Sequence, residues 1–313
     1  MAVLLESIRF APGELLRLLR WDGDARVPLA LEAGGRIASE AGMGSRWHSH
    51  SEFEFTVVTR GSGLRYVGDH VQAFADMDCV LVGSHVPHCW MEQGRTAGYA
   101  LQFHLPPEPV LEHLGGGREV KRLSVAAGHG LSFGPAVAEA ALALFDRMAA
   151  GSKLARAGLL LELLALLQHA QPADAMPLSQ ARVTAAEDGA ARPRMDRVVQ
   201  WILERFSQPL TLDEAVKRSG MSRATFCRQF VKHTGKTFVA FVTDARLAHA
   251  HQLLTHTTRP IADIAFASGF GSLTRFNAAF HARFARAPRE LRGAGRPDHR
   301  HPALSPSAPY RAR

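Results

Sequence analysis

The stretch TLDEAVKRSGMSRATFCRQF, residues 211–230, decides how this chain is read. Thr211 followed three residues later by Glu214 forms a capping box: the hydroxyl takes the third helical amide and the carboxylate reaches back to the Thr backbone. The helix it starts runs to Ser219, where Gly220 supplies the left-handed backbone of a tight turn. Ser222 then caps a second helix, predicted over Arg223 to Lys232. Phe226 and Phe230, four residues apart, share its buried face, which turns Arg223, Ala224, Cys227 and Arg228 outward.

The same plan recurs in PIADIAFASGFGSLTRFNAAF, residues 260–280. Pro260 suits a first helical turn, and Ile261, Ile264 and Ala265 face inward. Ser268-Gly269 makes the turn, Ser272 caps the next helix, and Phe276 and Phe280 repeat the apolar pair. Thr274, Arg275 and Asn277 fall outward or beside it. A repeat of this detail, offset by one residue in the turn, marks a duplicated helix-turn-helix. Between the two units, Phe238 to His256 reads as one helix of about 28 Å. Two recognition helices on such a rod can enter successive major grooves, about 34 Å apart. Lys217, Arg218, Lys232 and Lys236 suit phosphate contacts, and Arg228, Arg275 and Asn277 suit base edges.

Charge agrees with a polyanionic partner for this region alone. From Arg194 to Arg313 there are 20 Lys and Arg against 8 Asp and Glu, a net +12, whereas residues 1–193 hold 17 against 21, a net −4.

Residues 195–292 resemble the DNA-binding domain of the AraC/XylS family of transcription regulators. The resemblance is carried by Leu210-Thr211-Leu212, Ser219-Gly220-Met221-Ser222, Phe226-Cys227-Arg228-Gln229-Phe230, Arg246-Leu247, Ala250 and Leu253-Leu254. It continues in Ile261-Ala262-Asp263-Ile264-Ala265, Gly269-Phe270, Phe276, Phe280, Phe284 and Pro288-Arg289-Glu290. It implies base-reading positions at Ala224, Cys227 and Arg228 and at Thr274, Arg275 and Ala278; together with Arg223, Thr225, Lys232 and Asn277 of the same helices, these make up the expected DNA-binding set. Ala224 and Ala278 can meet only thymine methyls. The resemblance also implies contact with RNA polymerase, activation and a homodimer, although repression suits the same residues. The family usually has Gly where Ala285 stands.

The rest of the chain is read as an α+β fold. An antiparallel sheet or β-barrel is predicted over about 29–105, from short β-type runs between Gly and Asp turns; its cupin or jelly-roll type is implied by the resemblance described below. Segments 136–149 and 154–169 carry apolar residues at helical spacing and form a hairpin. Its stripe of Leu159, Leu160, Leu163, Leu164 and Leu167 serves either an internal core or a dimer interface. The domains expected are thus 1–170 for barrel and hairpin, 171–193 for a linker, 194–292 for DNA binding and 293–313 for a disordered tail. Three cysteines with no Cys-x-x-Cys spacing, no long apolar run and no signal-type N-terminus give the expectation of a cytoplasmic protein without membrane association.

Within the barrel, Gly42-x5-His48-x-His50-x3-Glu54-x6-Gly61 resembles the first signature of the cupin superfamily at every spacing, while the second is weaker because Met77 replaces the Gly expected before Asp78. His48 and His50 share a strand face, Glu54 joins them, and His88 is a fourth group. Trp47, His48, His50, Glu54, Tyr66, His88 and Trp90 are expected to bind a small-molecule effector, with aromatic faces suiting sugars, so that metabolic genes would be controlled. No cofactor is expected on this reading. On a second, His48, His50, Glu54 and His88 hold a divalent metal, and on a third they form a satisfied polar core. The function expected is a ligand-responsive DNA-binding regulator and not an enzyme; the alternative is a metal-dependent cupin dioxygenase or isomerase with an appended basic domain.

Overall fold

The structure is a computed structural model that describes residues 8–23, 28–40, 44–170, 175–179 and 192–293. Among these residues the first half contains strands β1 (Leu16–Gly23), β2 (Leu29–Glu32), β3 (Arg36–Ser39), β4 (Phe53–Val67), β5 (His70–Phe74), β6 (Asp78–Val82) and β7 (His88–Phe103). Helices α1 (Glu108–His113) and α2 (Gly117–Ala127), strand β8 (Leu131–Phe133), helices α3 (Pro135–Ala150) and α4 (Lys153–His169) and strand β9 (Ala175–Pro177) follow.

The strands form one antiparallel sheet in the order β3-β2-β1-β7-β4-β6-β8-β9, with β5 added to the far half of β4. Among the described residues no pairing joins β3 to β9, so the ladder is open where a closed barrel was predicted. The end strands explain this. Arg36, Ile37 and Ser39 on β3 are exposed, and β9 is three residues long.

The sheet nevertheless folds over itself. Phe53 pairs with Phe103 and Val67 with His88, at opposite ends of the β4/β7 ribbon. A straight strand would separate Glu54 from Val67 by about 43 Å, yet Glu54 Oε1 lies 3.8 Å from His88 Nε2. The ribbon is bent double at register shifts between Val58 and Ser62. Gly61 sits at that bend with φ 116°, and a Cβ there would stand 2.6 Å from Thr96 Cγ2.

Doubling produces layers that the period-two pattern of β4 makes visible. Phe53, Phe55 and Val57 face outward onto α3 and α4, in a core that includes Leu144, Phe145 and Leu160. Val58, Val67, Val82 and Trp90 meet between the two layers. Leu64, Tyr66 and Cys89 face outward on the other side. The leucine stripe of α4 lies wholly in the first of these cores, so it is internal packing and not an interface.

The helical half comprises α5 (Arg192–Arg205), α6 (Leu212–Ser219), α7 (Arg223–Thr234), α8 (Phe238–His256), α9 (Ile261–Ala267), α10 (Leu273–Phe284) and α11 (Pro288–Gly293). The outward face of the second layer packs on it: Trp47, Leu64, Tyr66 and Val71 share one core with Val198, Ile202, Phe226, Phe230 and Phe241. α9, α10 and the end of α8 form a separate core around Phe276 and Phe280. No described helix is long and apolar enough to cross a membrane.

Three boundaries differ from expectation. β1 precedes the predicted start of the sheet, because LRLLRWDG alternates only partly. α1 and α2 fill a stretch with no predicted element. The predicted linker contains β9, which pairs with β8, and its end is the start of α5; residues 171–174 and 180–191 of it lie outside the described residues, as do Gly42 and 294–313 of the predicted tail.

Candidate functional site

Two constellations carry chemistry. The first lies between the sheet layers, where ligand-type atoms of His48, His50, Glu54 and His88 all fall within 4.8 Å of one another. Each side chain is at most 5% exposed. The backbones of His48 and His88 hold each other in an isolated bridge, with N–H to carbonyl distances of 3.2 and 2.9 Å.

The ring orientations follow from one repeated device. His48 Nδ1 donates to the Arg46 carbonyl at 2.7 Å, His50 Nδ1 to the Glu52 carbonyl at 3.1 Å and His88 Nδ1 to the Val86 carbonyl at 2.8 Å. A carbonyl can only accept, so each Nδ1 carries a proton and Nε2 is left as the lone-pair nitrogen of the neutral ring. His50 Nε2 then stands 3.2 Å from Glu54 Oε2, two acceptors that attract only with a proton or cation between them. Among the described residues, His88 Nε2 is buried without a hydrogen-bond partner.

Glu54 is fixed from behind. Thr56 Oγ1 donates to Oε1 at 2.8 Å and Gln102 Nε2 donates to Oε2 at 2.8 Å; Gln102 Oε1 in turn accepts from Arg17 Nε at 2.9 Å. Burial lowers the His48 pKa well below its ordinary value, helped by the neighbouring charges of His88 and His50. Burial alone would raise that of Glu54, but the rings of His50 and His88 outweigh it and hold the carboxyl well below its usual range. The result is a carboxylate beside an imidazole, that of His48, which burial keeps from taking up a proton.

The remaining predicted effector residues divide. Trp90 stays beside the cluster, its ring 5.8 Å from that of His88 and its Nε1 donating to Asp78 Oδ2 at 3.3 Å. Trp47 and Tyr66 point the other way, with ring centroids 6.3 and 6.1 Å from that of Phe241 on α8. Gln102 and Arg17 were missed because their roles depend on which strands pair, and Glu54 meets Gln102 only through the β4/β7 register; Thr56, two residues beyond Glu54 on the same strand, could have been found from the period-two pattern. Met77, at the weak position of the second signature, keeps the left-handed backbone of the Gly it replaces, with φ 63°.

The second constellation is the pair α7 and α10. The capping box of Thr211 and Glu214 is formed, Gly220 is left-handed with φ 64°, and Ser222 caps α7. Phe226 and Phe230 are buried, while Arg223, Ala224, Cys227, Arg228 and Lys232 are exposed and Thr225 is partly so. α10 repeats this, with Ser272 as cap, Phe276 and Phe280 buried, and Thr274, Arg275, Asn277 and Ala278 exposed. Arg223 makes a surface ion pair with Asp213 at 2.9 Å. Its partner is exposed too, so phosphate can compete for the guanidinium.

Residues 215–294 match the family described as a helix-turn-helix domain. The HTH-type transcriptional activator RhaS of Enterobacter sp. (strain 638) is 31% identical over 99 residues, covering 32% of this chain and 36% of the relative. RhaS of Escherichia fergusonii is 30% identical over the same length and shares. The chain thus spans about a third of the length of the curated relatives it matches. Among solved structures, a transcriptional regulator with an AraC-type DNA-binding domain from Chromobacterium violaceum is 28% identical over 34% of this chain and 95% of that one, with a TM-score of 0.31. The helical half is a helix-turn-helix domain of the kind found in transcriptional activators.

Proposed function

We propose that this chain is a transcription regulator of the AraC/XylS type, which binds double-stranded DNA through α7 and α10 and takes a divalent metal ion as effector in a cupin-type sheet half. The DNA-binding part rests on the match over residues 215–294 and on the exposure of the outward residues of both recognition helices. The metal part rests on one observation: three histidines anchored through Nδ1 and one buried carboxylate converge within 4.8 Å. Around a tetrahedral ion with bonds of about 2.1 Å, ligand atoms stand about 3.4 Å apart, so a small contraction suffices. A sugar or similar effector needs a pocket of roughly 300 Å³ or more, which these four groups do not leave between them. Three imidazoles and a carboxylate suit zinc, nickel, iron or manganese. The ion would supply the positive charge that four inward acceptors lack.

A metal-dependent enzyme would need an open coordination position and a route for substrate. Burial of all four groups and the relatives' activator function both favour a sensor. Homodimerisation and contact with RNA polymerase belong to the same proposal, although the leucines of α4 are already occupied in the core.

Dialysis of the full chain against Zn²⁺ followed by metal analysis should give one ion per chain, and His88→Ala should remove it. Fluorescence anisotropy with DNA from upstream of the chain's own gene should show sequence-selective binding that weakens steeply with salt. A chain without selective binding would overturn the regulator reading, and one that retains no metal would overturn the effector.

A further inference from the structure

We infer that Trp47 couples occupancy of the histidine cluster to the pose of the first recognition helix, an inference that rests on the metal reading above. Trp47 is the residue before His48, and it contacts both α5 and α7 from the sheet half. Its backbone N donates to Gln200 Oε1 at 2.9 Å, and its Nε1 donates to His233 Nε2 at 3.3 Å. Its ring meets those of His233 and Phe241 edge-on, at 6.4 and 6.3 Å. His233 lies in the last turn of α7 and also stands 2.5 Å from Asp196 Oδ1 on α5. One ring nitrogen therefore faces an indole N–H and a carboxylate and serves one of them at a time. The contact has two arrangements built into it.

Compliance in the cluster points the same way. Glu54 sits in β4 and His88 begins β7, both tied into the long ladder. His48 and His50 belong to no named strand: the backbone of His48 is bridged to His88, and the carbonyl of His50 accepts from His85 N at 2.7 Å. When four ligands separated by up to 4.8 Å draw in to about 3.4 Å around an ion, the segment that carries His48 and His50 can move without breaking the β4/β7 ladder. Neighbouring Cα atoms are about 3.8 Å apart, so its shift carries Trp47 with it. The indole then displaces the end of α7, on which Arg228 lies five residues earlier, about 7.5 Å along the axis. The exposed face of α7 is untouched throughout, so the ion changes how the helix is presented and not what it presents.

The test uses the full chain, Zn²⁺ alone as the probe, and DNA from upstream of its own gene. Wild type should change its DNA affinity at least tenfold on loading, and by linkage DNA should change its Zn²⁺ affinity by the same factor. The pair Gln200→Ala with His233→Leu, on the helical side of the contact, should still bind one Zn²⁺ while its DNA affinity responds less than twofold. Asp196→Asn is added so that no carboxylate is left unpaired, and thermal unfolding checks that the variant is folded; if it is not, Trp47→Phe, which keeps a smaller aromatic ring and loses the N–H, is read in its place. A variant that retains the full metal response overturns the coupling. So does a wild type that binds Zn²⁺ with no change in DNA affinity, an outcome that leaves the metal site standing. A wild type that binds no Zn²⁺ removes the metal reading itself.

Discussion

The two helix-turn-helix units are built on one plan and held in two ways. Unit one, α6 and α7, buries Phe226 and Phe230 in a core that runs on through Phe241 into Tyr66 and Leu64 of the sheet. Unit two, α9 and α10, buries Phe276 and Phe280 against Leu247, Leu254 and Phe270 of its own neighbourhood. α8 joins them, and Arg246 in its middle ties back to the carbonyls of Phe206 and Gln208. The contrast teaches that duplicated sequence does not make duplicated mechanics. The first unit answers to the sheet, and the second answers to the rod.

The largest effects should separate the two cores. Phe226→Ala and Phe276→Ala each remove a fully buried ring, at a cost of about 3–5 kcal/mol. Hydrogen exchange on the full chain should show Phe276→Ala loosening α9 to α11 while β5 stays protected. Phe226→Ala should loosen β5 as well. Equal loosening of β5 by both would break the comparison.

DNA contact comes next in size. Arg228 and Arg275 are both exposed on their helices, and replacing either by Ala should cost about 1–3 kcal/mol of binding if it reads guanine, relaxing preference at one base position. Anisotropy across a set of single-base variants of the bound fragment measures this. A uniform loss across all sequences would assign the side chain to phosphate, and a loss in one unit alone would extend the mechanical asymmetry to recognition.

How much of this was legible follows the range of the interactions. Caps, turns and the four-residue Phe spacing act over a few residues, so the ends of α6, α8 and the hairpin helices are close to where the sequence placed them. His48, His50 and Glu54 were legible from their close spacing, although the expected shared strand face is not formed: His48 and His50 precede β4, and only Glu54 lies on it. Gln102 behind Glu54, and Gln200, His233 and Asp196 against Trp47, were not. Those partners meet through strand register and layer packing, at separations such as the 153 residues between Trp47 and Gln200. The open ladder was also hidden, since alternation reports which face is buried and not whether the last strand finds the first.

A glycine exchange gives a finer test of the same contrast. Gly235 ends α7 with φ 71°, and a Cβ there would stand 2.6 Å from Asp69 Cβ in the sheet half. Gly235→Ala thus meets left-handed strain of about 1–2 kcal/mol together with a collision across the interface. Thermal unfolding should fall, and exchange at β5 should rise. If only α7 responds, unit one leans on the sheet less than its core implies.

The smallest effect has the opposite sign. Ala285 ends α10 at the equivalent place with φ 51° and ψ 23°, and it is exposed. Ala285→Gly removes about 1–2 kcal/mol of left-handed strain but restores backbone freedom worth about 0.5–1 kcal/mol to the unfolded chain. A net gain of about 0.5–1 kcal/mol is expected, confined to α10 and α11 in hydrogen exchange. Met77 offers the control, because it has the same backbone strain, with φ 63°, and also packs its side chain on the core under α3 and α4. Met77→Gly loses that packing, so its gain should vanish or reverse. Stabilisation by both would mean that backbone strain outweighs side-chain packing even beside the main core.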